Sequence, residues 1–312
     1  MRLATYLLPA DRTPRVGVVI EDQMLDLAAA ARTAELALPS GSMRQLLAGG
    51  KGELDAVRSL VASARADASA FSAALSPRAA VKLMPPIPDP SKFICAGKNY
   101  RSHLEELKKN DLIRETPQEP TGFIKLNHCL VGHDGDVVRP PSVNHLDYEP
   151  ELVFVIGRHA HNVAKEDAFN YVAGITILND LTCRATQKRE VASGSRFWTA
   201  KNAPGFGPLG PFIITMDDVP DPYDIWITCT VNGQQRMRVN TSAQIWKLPD
   251  ILSHFSRLVP FEPGDMFATG APGGVAVGQP NADELFLKPG DVVECAFEEP
   301  AMVLRNRIVA PQ

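Results

Sequence analysis

The sequence predicts a mixed β/α+β protein, strand-rich over most of its length, with a small α+β domain at its N-terminus. Three observations carry that reading. Short runs of β-branched and aromatic residues, many separated by turn residues, dominate the chain after residue 85. Proline, at 26 of 312 residues, exceeds its usual share of about 5% and implies many loops. The composition also shifts near residue 85. Residues 1–85 hold ten basic and eight acidic residues, no histidine and no cysteine, whereas residues 86–312 hold all seven histidines, all five cysteines and an acidic excess. Pro85, Pro86, Pro88 and Pro90 mark the seam, because proline removes backbone donors and stiffens a linker. The boundary expected from this is residue 85, with the chemistry in 86–312.

In the N-terminal part, residues 3–8 and 15–20 read as strands joined by a turn. Residues 55–75 read as a helix carrying Val57, Leu60, Val61, Ala64 and Ala68 on one stripe. Further on, strands are expected at 152–156, 174–178, 212–215, 225–231, 266–269 and 292–297. Asn232-Gly233 after the fourth of these is a strong signal for a two-residue hairpin turn. Helices are expected at 100–109, 181–190 and 248–256.

A net charge of −4 and a pI near 6.0 give no electrostatic footprint for nucleic acid or an anionic membrane. The N-terminal apolar stretch is too short for a signal peptide. No window approaches the ~18 apolar residues of a membrane span. Cys95, Cys129, Cys183, Cys229 and Cys295 are far apart and odd in number, which excludes a disulfide framework and a zinc ribbon. A soluble, cytoplasmic protein is expected.

The most informative stretch runs from Asp147 to Gly157, D-Y-E-P-E-L-V-F-V-I-G. Side chains alternate along a strand, so Glu149 and Glu151 share a face, roughly 7 Å apart. Like charges beside an apolar run repel unless something positive lies between them, and nothing local in the sequence supplies an internal cation. Asp180 ends a second apolar run, 171–179. Three carboxylates at strand ends make a hard oxygen site for Mg²⁺, Mn²⁺ or Ca²⁺ rather than zinc, although E-x-E alone also fits a solvated strand edge. On the helix at 100–109, His103 and Glu106 are three apart and share a face. A carboxylate orients an imidazole for general-base work; by itself the pair equally suits a surface helix. Arg184 and Gln187, again three apart, follow Asp180, and Lys201 lies beyond. Arginine offers a fork for a carboxylate and lysine a point charge for an oxyanion, while an exposed amphipathic turn is the bland alternative.

Together these stretches resemble the fumarylacetoacetate hydrolase family. The matching elements occur in order: F-I-C-A-G-K-N-Y-R-S-H-L-E-E from Phe93, F-I-K at 123–125, D-Y-E-P-E-L at 147–152 and N-D-L-T-C-R-A-T-Q at 179–187. Lys201 with G-P-L-G-P at 207–211, P-G-D-M-F-A-T-G-A-P-G-G-V at 263–275 and K-P-G-D-V-V-E near the C-terminus complete the set. The resemblance implies a β-roll catalytic domain, an appended small N-terminal domain and a homodimer. It implies that Glu149, Glu151 and Asp180 hold Mg²⁺ or Mn²⁺ and that His103 with Glu106 sits on a lid. Lys201, Gln187, Thr269 and Gly270 would meet a bound oxo-acid, and Arg184 or Lys125 would grip its terminal carboxylate. The implied chemistry is hydrolysis of a C–C bond in a β-diketo acid, with His103 activating water. Decarboxylation, tautomerisation, isomerisation or dehydration of a 2-oxo acid at the same metal are the alternatives.

The chain departs from the family pattern at Ala271, where a second threonine is usual, at 202–206 and at 298–301, which bears on substrate identity. A literal G-x-G-x-x-G at 205–210 lacks the strand before it and the helix after it that a dinucleotide site needs. Asn240-Thr241-Ser242 reads as a loop, and His128, His133, His145, His159 and His161 as surface or loop residues.

Overall fold

The computed structural model describes residues 1–113, 116–194 and 198–311. A large mixed sheet forms its centre, with strands in the order Leu75–Pro77, Gln23–Asp26, Asp11–Ile20, Arg2–Leu8, Gly207–Thr215, Val172–Asn179, Pro150–Ile156, Met266–Ala268, Phe93–Gly97 and Thr121–Ile124. A second sheet orders Gln234–Asn240, Trp226–Val231, Val292–Phe297, Met302–Val309 and Asp136–Val138. The mixed β/α+β expectation holds, and among the described residues no sheet closes into a barrel.

Strand Pro150–Ile156 is buried along its whole length. Leu152, Phe154 and Ile156 pack into one hydrophobic cluster together with Ile227, Cys229 and Val293 of the second sheet. Val153 and Val155 point the other way, into a cluster with Leu46, Val57 and Leu60. The period-2 alternation of a strand therefore serves two cores, and an unbroken apolar run results. Helices Met43–Ala48 and Gly50–Ala66 supply the second cover. Residues 1–85 thus extend the large sheet, through pairing of Arg2–Leu8 with Gly207–Thr215, and roof one of its faces.

Several expected elements differ in extent. The helix placed at 55–75 is Gly50–Ala66. Val57, Leu60, Val61 and Ala64 are buried as the stripe requires, but Ala68 is exposed. Leu75 is drawn instead into a short strand paired with Gln23–Asp26, a long-range pairing that helical periodicity cannot reveal. The helix placed at 181–190 begins at Arg184 and runs to Ala192, because Thr182–Cys183 pairs with Leu146–Asp147. Asn232 and Gly233 have φ of 53° and 75°, the left-handed pair that a type I′ hairpin needs, joining Trp226–Val231 to Gln234–Asn240. Residues 205–210 lead into the strand Gly207–Thr215 rather than a helix. All five cysteines are buried and free.

Candidate active site

Register gathers the site at one end of the large sheet. Pro150–Ile156 runs antiparallel to Val172–Asn179, with Pro150 opposite Asn179. The residues just outside that pair, Glu149 and Asp180, are therefore neighbours, joined by a 2.8 Å bond from Asp180 N to Glu149 O. Met266–Ala268 flanks the other side of Pro150–Ile156 and ends beside Glu151, whose Oε2 accepts from Gly270 N at 2.8 Å. Gly270 has φ 89°, and a Cβ there would stand 2.7 Å from Ala96 O, so only glycine brings its N–H to that carboxylate without strain. Phe93–Gly97, parallel to Met266–Ala268, leads into the helix Arg101–Lys109 that carries His103 and Glu106.

Ligand oxygens of Glu149, Glu151 and Asp180 all lie within 4.8 Å of one another, and all three residues are buried. The E-x-E face is not devoid of cations, contrary to the expectation from the sequence. Lys201 Nζ donates to Glu149 Oε2, to Asp180 Oδ2 at 2.6 Å and to Thr182 Oγ1 at 2.6 Å. Arg184 Nη2 lies 2.6 Å from Glu149 Oε1. Lys125 Nζ, fully buried, donates to Asp180 Oδ1 at 2.6 Å, Lys201 O at 2.5 Å and Phe206 O at 2.8 Å. Burial would push the Glu149 carboxyl up, but Arg184, Lys201 and His103 overcome it and hold Glu149 well below the usual range. Glu151 goes the other way: burial, then the charges of Asp180 and Glu149, push its carboxyl well above that range. Burial alone would lower Lys201, yet Asp180 and Glu149 raise it and keep it charged.

These contacts reassign two residues. Lys125 and Arg184 do not stand as free grips for a substrate carboxylate. All three hydrogens of Lys125 are engaged, and Arg184 also donates from Nε to Asp147 Oδ2 at 2.7 Å and from Nη1 to Gln187 Oε1 at 2.9 Å. Both hold the carboxylates in place, as buried charges must be paired. The Thr269 hydroxyl, expected at the substrate, donates to Leu152 O at 3.0 Å and accepts from Gln244 at 3.2 Å. Gly270, Gln187 and Lys201 do line the cavity above the triad.

His103 lines the same cavity. Its Nδ1 lies 3.1 Å from Glu106 Oε2 and its Nε2 3.6 Å from Glu149 Oε1. The other Glu106 oxygen accepts from Gly274 N at 2.7 Å, so the helix is tied to the loop after Gly270. Ala96, Lys98, Leu107, Phe123 and Ala271 complete most of the wall, and the cavity volume is about 20 Å³, enough for an ion or a water.

Asp147 escaped the sequence reading. It is wholly buried and accepts from Arg184 Nε and from Ala276 N and Val277 N at 2.8 and 3.0 Å, so it orients both Arg184 and the loop beneath Glu106. Its alternation with Glu149 and Glu151 was the available signal. Asn99, also buried, has none in the sequence; it bonds Trp246 O, Trp246 N and Thr269 O at 2.6–2.9 Å.

The residues present suit a divalent cation. Three hard oxygen donors converge. Among the described residues, the buried cluster sets four carboxylates (Asp147, Glu149, Glu151 and Asp180) against three side-chain cations (Lys125, Arg184 and Lys201), leaving one negative charge in surplus. That surplus falls on Glu151.

The family description "Fumarylacetoacetate (FAA) hydrolase C-terminal" matches residues 92–309. The chain belongs to the fumarylacetoacetate hydrolase family. A rat member, oxaloacetate tautomerase Fahd2a, mitochondrial, is 32% identical over 311 residues, 99% of this chain and 92% of that protein. The crystal structure of a putative HpcE protein from Mycobacterium smegmatis superposes with a TM-score of 0.80 at 28% identity, covering all of both chains. Maleylpyruvate hydrolase from Sphingobium sp. SYK-6, solved in complex with manganese(II) and pyruvate, gives 0.75 at 26% identity, again with full coverage of both. These relatives are named as a tautomerase and a hydrolase, so the family contains enzymes of more than one reaction type. Among the described residues no helix is long and apolar enough to cross a membrane. The rat relative is named as mitochondrial, in contrast to the cytoplasmic expectation.

Proposed function

We propose that this chain is a divalent-metal-dependent tautomerase of a small 2-oxo acid of the oxaloacetate kind, shifting one proton between carbon and oxygen. The observation that carries the reading is the placement of His103 Nε2 3.6 Å from Glu149 Oε1, in the wall of the cavity that the triad also lines. That spacing sets a proton carrier beside the ligand shell. Resemblance to the rat oxaloacetate tautomerase along 99% of this chain supports it.

Glu149, Glu151 and Asp180 would hold Mg²⁺ or Mn²⁺, which supplies Lewis-acid polarisation of adjacent substrate oxygens. Glu106 fixes the imidazole with Nδ1–H directed at its carboxylate, leaving the Nε2 lone pair toward the cavity. Neutral His103 takes a proton from the methylene beside the 2-oxo group, and the C–H electron pair moves into a C=C bond as the carbonyl π pair moves onto oxygen. The resulting imidazolium is flanked by Glu106 and Glu149, which stabilise it. His103 then returns the proton to that oxygen, completing the enol. Lys201 fixes the orientation of Glu149 and Asp180 throughout.

C–C bond hydrolysis, the reaction favoured by the sequence motifs, is the second reading, supported by the likeness to maleylpyruvate hydrolase. It shares the enolate and adds a water. The two are separated by offering Mn²⁺-loaded protein oxaloacetate, with the enol followed by ultraviolet absorbance, and acylpyruvates, with products followed by mass spectrometry. Accelerated keto–enol exchange, lost in chelator and regained with Mn²⁺ or Mg²⁺, is expected. Cleavage of acylpyruvates without any effect on oxaloacetate would overturn the tautomerase reading. The proposal includes a homodimer, which sedimentation at the monomer mass would remove.

A further inference from the structure

We propose that Asn202 is a positioning residue, which aims Lys201 and Lys125 at the carboxylates that would hold the metal. The assignment rests on the metal site proposed above and on no particular reaction there. Asn202 opens the stretch 202–206, where the chain departs from the family pattern, and it is buried. Its carboxamide is used in full. Nδ2 donates to Ile124 O at 3.0 Å and to Trp198 O at 2.7 Å, while Oδ1 accepts from Leu126 N at 2.6 Å.

Ile124 O and Leu126 N lie on either side of Lys125. They are the two groups that a parallel neighbouring strand would engage there, and Thr121–Ile124 is the outermost strand of the large sheet. A single carboxamide, which carries both a donor and an acceptor, thus stands in for a strand partner and fixes the backbone that bears Lys125. The remaining bond fixes the other lysine. Trp198 precedes the turn Thr199–Lys201, so Asn202 closes that turn by bonding the carbonyl before it. Glu190, in the helix Arg184–Ala192, accepts from Thr199 N and Ala200 N at 3.2 Å each and holds the start of the turn. Lys125 Nζ donates to Lys201 O at 2.5 Å, and Lys201 Nζ stands 5.3 Å from the Phe123 ring centroid, so strand and turn are docked at several points around Asn202.

A lysine ammonium is a point charge on a flexible four-carbon stem. For Lys201 Nζ to meet Glu149 Oε2, Asp180 Oδ2 and Thr182 Oγ1 together, strand and turn must keep a fixed offset, and the Asn202 side chain spans the two. Lys201 in turn orients one oxygen of Glu149 and one of Asp180. Removing a group that orients metal ligands typically costs about 10–100-fold in metal affinity or activity.

The test uses the full chain, labelled with ¹⁵N-lysine and stripped of metal. Buried, hydrogen-bonded ammonium protons exchange slowly enough to be seen by NMR, and Lys125→Arg and Lys201→Arg assign the two signals. In Asn202→Ala the Lys201 ammonium protons should exchange with water at least tenfold faster than in wild type, while the backbone amides of Pro150–Ile156 keep their protection. Absence of a Lys201 signal from wild type, or unchanged exchange in the variant, overturns the assignment. So does an equal acceleration of the backbone amides, which marks general loosening rather than lost aim. Titration with Mn²⁺ is the second arm. Its Kd should rise at least tenfold in Asn202→Ala and should not rise when the same change is made in Lys201→Met; an unchanged Kd, or an equal rise in both backgrounds, refutes action through Lys201. If wild type takes up no Mn²⁺, the metal reading fails on its own, and ammonium exchange alone decides Asn202. Asn202→Ser carries both arms should Asn202→Ala fail to fold.

Discussion

Replacing Glu151 by glutamine alters the one member of the triad whose bond comes from a backbone N–H, Gly270, rather than from a lysine or arginine. The amide oxygen of glutamine can keep that bond while the charge is lost. Two carboxylates within 4.8 Å of each other repel by at least about 3.5 kcal/mol at an effective dielectric near 20. Lys201 and Lys125 offset part of this, leaving roughly 1–3 kcal/mol. Glu151→Gln should therefore melt several degrees above wild type in EDTA, at a few degrees per kcal/mol for a chain of this size. With metal the gap shrinks, by about 2.3 kcal/mol at 100 times the wild-type Kd. A ligand at 100 times its Kd stabilises by about 2.7 kcal/mol, and a ~100-fold weaker site gains about 0.4 kcal/mol at the same concentration. Thermal melts across a Mn²⁺ titration give both arms.

The pH dependence has a definite sign. The folded Glu151 carboxyl lies well above its ordinary 4.5 because of burial and of Asp180 and Glu149, so the wild-type penalty exists above that pH and disappears below it. The gap between the two proteins in EDTA should close as pH falls toward 4.5. A variant that melts below wild type in EDTA, or that keeps the full Mn²⁺ shift, would refute the charge argument.

Three further outcomes follow from the same geometry. His103→Ala should lower kcat by about 10²–10⁴-fold while leaving the Mn²⁺-induced thermal shift intact; full turnover would remove His103 from the mechanism. Lys125→Met takes from Asp180 Oδ1 and two backbone carbonyls the buried donor they share, leaving Asp180 only Lys201, and should destabilise by about 3–5 kcal/mol in chemical denaturation, against which a neutral result would count. Gly270→Ala meets Ala96 O and an unfavourable φ, and should cost at least ~1 kcal/mol of stability and weaken Mn²⁺ binding together; a stability loss without any metal effect would detach Gly270 from Glu151.

What the chain alone determined was local. Alternation along 150–156 made a buried strand legible, Asn232-Gly233 announced a hairpin, and the spacing of Glu149, Glu151, His103 and Glu106 pointed to a metal and a proton carrier. Each of these depends on residues a few positions apart, where backbone geometry alone fixes which side chains share a face. The roles of Lys125, Arg184 and Lys201 were beyond that range. Lys125 reaches Asp180 across 55 positions and Lys201 reaches Glu149 across 52, through strand register and chain path that no local pattern encodes. Neutralisation of a buried charge depends on distance in space and on excluded water, so only tertiary structure could show that the acidic face carries its own cations and that one charge is left over.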